Sequence, residues 1–270
     1  MPYNGIMRLK RSFRDKKLIV FDLDGTLTES KSEIKPDMSG LLCKLLKTKP
    51  IAIIGGGKYQ LFRTQFIAKF KCPKELFHNL FLFPTTSTSF YCYQNGWKKV
   101  YAKELSKREK KKIKKAFQEA FKEINYIKPK KTYGKVIEDR GTQITFSALG
   151  QEVVKVLGEK GIQLKTKWRD ENTGVKLKLA EALQRRLPDM EVVAAGYTSI
   201  DVVRKGVDKA YGLRQIEKNI HVSLRDMLFV GDALFPGGND YAARKTGVDC
   251  ISVSGPKETK KFIRFLLKKQ

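Results

Sequence analysis

The chain of 270 residues carries 55 lysines and arginines against 28 aspartates and glutamates, a formal net charge of +27, with 41% hydrophobic residues. That apolar share suits a packed core and excludes a disordered chain, and the length leaves room for a core domain and a second, smaller one. No apolar run approaches the roughly 20 residues needed to cross a bilayer, and the basic segment Met1 to Lys17 has no apolar stretch of a secretory signal. Cys43, Cys72, Cys92 and Cys250 are scattered without a Cys-x-x-Cys pair. They read as reduced, intracellular cysteines, with neither a disulfide nor a zinc site expected. With His78 and His221 alone, no histidine-based metal site is expected either.

The first element is a strand at 17–24, in the run Leu18-Ile19-Val20-Phe21-Asp22-Leu23-Asp24-Gly25-Thr26-Leu27-Thr28. An apolar run that ends in two acids at i and i+2 puts both at the carboxyl end of a sheet, where open α/β folds bind ligands. Alternation along the strand lets Asp22 and Asp24 project from one side of its tip. Such a pair suits phosphoryl transfer: one acid attacks phosphorus, the other moves the proton, and a divalent cation lowers their repulsion. The plainer alternative is a turn, since Asp and Gly are ordinary turn residues.

A helix is expected near 37–47, after Pro36, with Met38, Leu41, Leu42, Leu45 and Leu46 on one face. A short buried strand at 51–54 then opens into Gly55-Gly56-Gly57-Lys58 and a helix at about 58–70, an arrangement whose bare amides suit an anion. After a strand at 79–83, residues 90–102 read as a hairpin around Asn95-Gly96. The lysine-rich stretch at 106–125 has Ile113, Ala116, Phe117, Ala120, Phe121 and Ile124 at helical spacing. It reads as an amphipathic helix with its lysines in solvent. The net charge is therefore taken as a composition bias, and no nucleic-acid partner is expected.

Strands are expected near 135–138 and 142–147, a helix at 174–186 ended by Pro188, and a strand at 191–195. Lys209, in Gly206-Val207-Asp208-Lys209-Ala210-Tyr211, falls at the start of a helix and can neutralise an attacking carboxylate and a phosphate oxygen. The strand at 227–230 runs into Gly231-Asp232 and the loop Pro236-Gly237-Gly238-Asn239-Asp240. Asp232 offers a hard oxygen ligand suited to Mg²⁺, and Asn239 and Asp240 can hold its waters or cap a helix. A strand at 249–253 and a helix from 256 close the chain.

The Asp22-Leu23-Asp24 strand tip, the Gly55-Gly56-Gly57-Lys58 loop, Lys209 and the Gly231-Asp232 to Asp240 segment, in this order, resemble the haloacid dehalogenase superfamily. With Arg140-Gly141-Thr142-Gln143-Ile144-Thr145-Phe146 and Gly196-Tyr197-Thr198-Ser199-Ile200-Asp201, they resemble more closely its phosphomannomutase-like branch. The resemblance implies an α/β fold: a Rossmann-like core of mostly parallel sheet with helices on both faces, at 1–87 and 196–270, and an inserted α+β cap for substrate specificity at 88–195. It implies Asp22 as nucleophile and Asp24 as acid and base. Phosphate would be held by Lys209 and the amides of Gly55 and Gly56, and Mg²⁺ by Asp22, the backbone carbonyl of Asp24, Asp232, Asn239 and Asp240. Arg140, Ser199 and Asp201 would face a phosphorylated sugar, in a cytoplasmic protein of open oligomeric state. The chain departs from the branch at Gly56-Gly57-Lys58, where Gly-Ser-Asp is expected, and at Gln151, where an arginine is expected. Lys165 and Lys167 are possible substitutes for the missing arginines. The reading is thus a Mg²⁺-dependent sugar-phosphate phosphatase, with a phosphohexomutase as the alternative and a basic binding protein without catalysis as the third.

Overall fold

The β-branched and aromatic runs form strands that lie side by side. The computed structural model describes residues 10–29 and 32–268, so the start of the basic segment Met1 to Lys17 lies outside the described residues. The strands are β1 (Leu18–Asp22), β2 (Ile51–Ile54), β3 (Leu80–Phe83), β4 (Ser89–Tyr93), β5 (Trp97–Ala102), β6 (Ile137–Asp139), β7 (Ile144–Ser147), β8 (Met190–Val193), β9 (Ser199–Arg204), β10 (Met227–Gly231) and β11 (Asp249–Ser252). The chain divides into two compact units, one of residues up to 29, 33–100 and from 208 onward, the other chiefly of 101–207.

The first unit holds a seven-stranded sheet in the order β11-β10-β1-β2-β3-β4-β5, parallel from β11 to β3. Its strands β10, β1 and β2 are wholly buried, as a parallel sheet covered on both faces requires. From β1 the chain winds to β2 and β3 on one side and returns as β10 and β11 on the other. The carboxyl end of β1 is thus a topological switch point, where α/β sheets bind ligands. Register sets Asp22 beside Ile54 and Phe21 beside Val230, so Asp22, the glycine loop after β2 and Asp232 after β10 emerge next to one another.

The second unit is a four-stranded antiparallel sheet, β6-β7-β9-β8, covered by two helices, Lys107–Glu123 and Glu159–Arg186. The lysine-rich helix buries Ile113, Ala116, Phe117 and Ala120, with Phe117 against Phe146 of β7. Ser106 and Glu109 form a reciprocal capping box at its start. Glu109 also pairs with Arg204, which holds its carboxyl down to about 2.

Four features differ from the sequence expectations. The Asn95-Gly96 hairpin extends the first sheet, with Phe83 stacked on Phe90 and Leu82 paired with Tyr91, so the chain leaves that unit near 100 and returns near 208, not at 88 and 195. The helix expected at 174–186 begins at Glu159. Gly161 hides that first half from propensity, yet it is needed there, because a Cβ would come within 2.5 Å of the Val153 carbonyl oxygen. Residues 199–204 are a strand, β9, at the heart of the second sheet. The expectation of free cysteines is also corrected: Cys43 on the Pro36–Leu46 helix is bonded to Cys72, with a Cα–Cα separation of 5.4 Å.

That bond closes a loop over a sequence separation of 29, which in the chain-entropy account stabilises by about 3–4 kcal/mol. Urea denaturation with and without reductant should differ by that order. Equal midpoints, together with free thiols at Cys43 and Cys72 by alkylation and mass spectrometry, would remove the bond from the native protein.

Candidate active site

Asp22 is the last residue of β1 and is buried. Lys209, the first residue of the Lys209–Ile220 helix, ion-pairs with it through Nζ and Oδ1. The same ammonium lies 3.2 Å from Asp240 Oδ1, 3.4 Å from the Ile54 carbonyl oxygen and 5.7 Å from the centre of the Phe229 ring. Asp208 caps this helix by accepting from the Tyr211 amide at 2.8 Å, which fixes where Lys209 starts.

Asp22, Asp232 and Asp240 present carboxylate oxygens that all lie within 4.8 Å of one another. Burial is the main force raising the Asp22 carboxyl well above the ordinary aspartate value; Lys209 opposes it, and Asp240 and Asp232 add to it. Burial also raises Asp232 to about 7, assisted by Asp240 and opposed by the hydroxyl of Thr26. Lys209 loses from burial, but Asp22 and Asp240 outweigh the loss and hold it protonated above the ordinary lysine value. Three carboxylates, two of them buried and Asp232 partly so, surround one ammonium and put hard oxygens in excess of positive charge. A hard divalent cation such as Mg²⁺ fits that donor set.

Close approach determines the glycines here. A Cβ on Gly25, whose φ is +92°, would lie 2.5 Å from Asp232 Oδ2, and one on Gly231 would lie 2.3 Å from Asp240 Oδ2. Thr26 Oγ1 donates to Asp232 Oδ1 at 3.2 Å, and the Ala233 amide donates to Asp240 Oδ2 at 3.1 Å.

The other expected site residues are less uniformly gathered. Asp24 is half-exposed, its backbone bridged to Thr28, and its carboxylate lies outside the Asp22–Asp232–Asp240 cluster. Asn239 is exposed on the turn before the buried Asp240. Gly55 requires a correction: its amide donates to the Phe83 carbonyl at 3.2 Å, continuing the sheet, so it is not directed at a phosphate. Gly56 and Gly57 follow it in the loop.

In the second unit Arg140 is buried and held inward, donating to Glu138 at 2.9 Å and to Gln151 Oε1 at 3.0 Å. Asp201 accepts from Thr145 Oγ1 at 2.7 Å, and Ser199 is buried beside Ser147 in the ladder. Lys167 is exposed near Glu171, whereas Lys165 is buried, 6.0 Å from the Tyr197 ring on which Arg169 also sits at 4.4 Å. Sequence reasoning missed Thr26 and Glu138. The first stands inside the Gly25-Thr26 pair, and the second shares a strand face with Arg140 by the i, i+2 rule.

The family model described as eukaryotic phosphomannomutase matches residues 38–269. A phosphomannomutase of Encephalitozoon cuniculi is 30% identical over 262 residues, covering 95% of this chain and 96% of that one. A probable phosphomannomutase of Caenorhabditis elegans is 25% identical, covering 94% and 96%. Among solved structures, IMP-bound Plasmodium falciparum IMP-nucleotidase shares the fold at a TM-score of 0.68 and 15% identity, covering 93% of this chain and 68% of that one. Aspergillus fumigatus trehalose-6-phosphate phosphatase does so at 0.52 and 17%, covering 94% of each.

The raised Asp232 carboxyl gives a signed expectation for the metal-free protein. Its proton is held more tightly folded than unfolded, so the stability it contributes is full below the unfolded value, roughly 3.9. That contribution is lost as pH rises through about 7. The melting temperature without metal should therefore fall from pH 5 to pH 8 more steeply than in Asp232→Asn. Added Mg²⁺ should recover more at pH 8 than at pH 5. Parallel profiles for wild type and Asp232→Asn would contradict this assignment.

Proposed function

The chain belongs to the eukaryotic phosphomannomutase family of the haloacid dehalogenase superfamily, a family of sugar-phosphate phosphotransfer enzymes, and on that premise we propose that it is a Mg²⁺-dependent phosphatase working through an aspartyl phosphate on Asp22. The observation that carries the chemistry is the buried Asp22–Lys209 pair at the tip of the central strand, beside Asp232 and Asp240.

A carboxylate oxygen of Asp22 attacks phosphorus and the bond to the sugar oxygen breaks. Asp24 gives its proton to the departing alkoxide. Water, deprotonated by Asp24, then attacks the aspartyl phosphate and releases inorganic phosphate, restoring Asp22. Lys209 keeps its charge throughout and lowers the cost of bringing a phosphate dianion to a carboxylate. Loop amides around Gly56 stabilise the equatorial oxygens, and a single such preorganised donor contributes about 3–4 kcal/mol. Asp22, Asp232 and Asp240 would hold Mg²⁺, which when bound neutralises charge on both the phosphate and the attacking acid. Discrimination among sugars is assigned to the second unit, residues 88–195 in the sequence reading and chiefly 101–207 by compactness.

Phosphatase is preferred over mutase because of Arg140. A mutase must keep hold of a bisphosphate while it turns over, and bidentate arginine contacts are the suitable grip. Here the Arg140 guanidinium is already paired with Glu138 and bonded to Gln151. The mutase reading retains support from the relatives' own names.

Asp22→Asn should leave a folded protein with under a few per cent of wild-type turnover, since an amide does not attack phosphorus; greater activity would take Asp22 out of that role. Chelation should suppress activity and Mg²⁺ restore it. In a separate experiment, mannose 1-phosphate is incubated with enzyme, Mg²⁺ and a hexose bisphosphate and followed by phosphorus NMR. Inorganic phosphate should appear well ahead of mannose 6-phosphate; the reverse order would establish the mutase instead.

A further inference from the structure

Beyond β3 the backbone turns against the preference of L-residues. Thr85, Thr86 and Ser87 have φ of 50°, 53° and 67°. The other non-glycine residues with positive φ, among those described, occur singly, at Asn95, Asn125 and His221. Those are residue types that enter the left-handed region more readily, whereas a β-branched threonine there is a genuine outlier. Consecutive left-handed residues persist only where the surroundings over-determine them.

The surroundings do so here. Thr88 Oγ1 lies 2.7 Å from both the carbonyl oxygen and Oγ1 of Thr85, and Ser89 Oγ lies 3.2 Å from Thr85 Oγ1. Thr85, Ser87, Thr88 and Ser89 are all buried. The turn then reaches two parts of the candidate active site. Its amides at Thr85 and Thr86 donate to the carbonyl oxygens of Gly57 and Gly55, at 2.9 and 3.0 Å. Ser87 Oγ stands 2.5 Å from where a Cβ on Gly212 would be, one turn beyond Lys209 on the same helix.

The bonds to the glycine loop have a directional consequence. In a trans peptide the C=O and N–H point opposite ways. With the Gly55 and Gly57 carbonyls drawn to the turn, the amides of Gly56 and Lys58 face away from it. A right-handed turn of the same residues would withdraw both donors and release the loop to rotate.

We propose that the left-handed turn Thr85–Ser87 is a positioning element for phosphate binding, fixing by its two amides the orientation in which the Gly55–Lys58 loop presents its own. The proposal rests on the phosphotransfer reading of the site. None of the three residues touches the reacting atoms; they act through the loop.

The test removes the anchor and then restores the turn by another means. Thr88 has an ordinary φ of −75°, so Thr88→Val deletes its hydroxyl without adding backbone strain, while its methyl cannot keep the 2.7 Å approach to Thr85. Inorganic phosphate binding, measured by calorimetry in Mg²⁺, should weaken roughly tenfold, about the loss of one hydrogen bond to a charged group. KM for a hexose phosphate should rise by a similar factor with kcat changed far less. Adding Thr86→Asn, which favours the left-handed region, should return phosphate affinity to within about threefold of wild type. A merely structural turn would instead lower the melting temperature and leave phosphate affinity unchanged in Thr88→Val, and that result overturns the proposal, as does failure of Thr86→Asn to rescue. If Thr88→Val does not fold, Thr86→Asn alone decides: a higher melting temperature with undiminished phosphate affinity supports the proposal, and a loss of affinity refutes it. Wild-type protein that binds no phosphate and hydrolyses no sugar phosphate would refute the phosphotransfer reading itself, an outcome distinct from the others.

Discussion

Every part of the first unit that matters for chemistry is arranged around one ammonium among three carboxylates, Asp22 and Asp240 buried and Asp232 partly so. Lys209 compensates Asp22 and Asp240 where water is excluded, and without it the tip of β1 would bury acids with no counter-charge. Breaking a buried pair by removing one partner typically costs about 3–5 kcal/mol. The crowding also determines the neighbouring sequence. Gly25 and Gly231 have no side chain because Asp232 and Asp240 occupy that space. The two glycine-containing motifs are therefore consequences of the same packing, and their pairing in one chain is more informative than either alone.

The second unit handles charge in the opposite way. Its buried cation Arg140 is satisfied from within, by Glu138 and Gln151. Asp201 is likewise tied to Thr145. Charged groups that are already paired offer a smaller electrostatic reward to a further anion. Lys165 and Arg169 gather near Tyr197 on the neighbouring helix, while Lys167 faces solvent. Of the two lysines that sequence offered as replacements for arginine, only Lys165 is in the interior.

Legibility followed the range of the interaction. β1, β2 and β10 were readable because a strand buried on both faces writes a continuous apolar run. Asp22, Lys209, Asp232 and Asp240 were readable because each sits at a fixed offset from such a run or from a helix start. What was not readable depends on partners distant in sequence. Cys43 and Cys72 have no local signature of pairing. The hairpin at 89–102 is an obvious hairpin, yet nothing local says which sheet it extends. Gly161 looks like a helix breaker until the Val153 carbonyl is seen to need its space. Gly55 looked like a phosphate donor because its amide's partner, Phe83, comes from another strand.

The left-handed turn is the clearest conflict between local preference and the folded structure. Each L-residue in that conformation costs on the order of 1–2 kcal/mol, and Pro84-Thr85-Thr86-Ser87 contains neither glycine nor asparagine to ease it. Nothing in the sequence of this segment announces the turn; it is imposed by buried hydroxyl bonds and by glycine carbonyls that need donors. Natural sequences keep such conflicts chiefly where function requires a conformation that propensity alone would not produce. The turn abuts both the glycine loop and the helix that carries Lys209. Its strain therefore falls at the point where the glycine loop and the Lys209 helix are held in register, in the same unit that carries the Asp22–Asp232–Asp240 cluster.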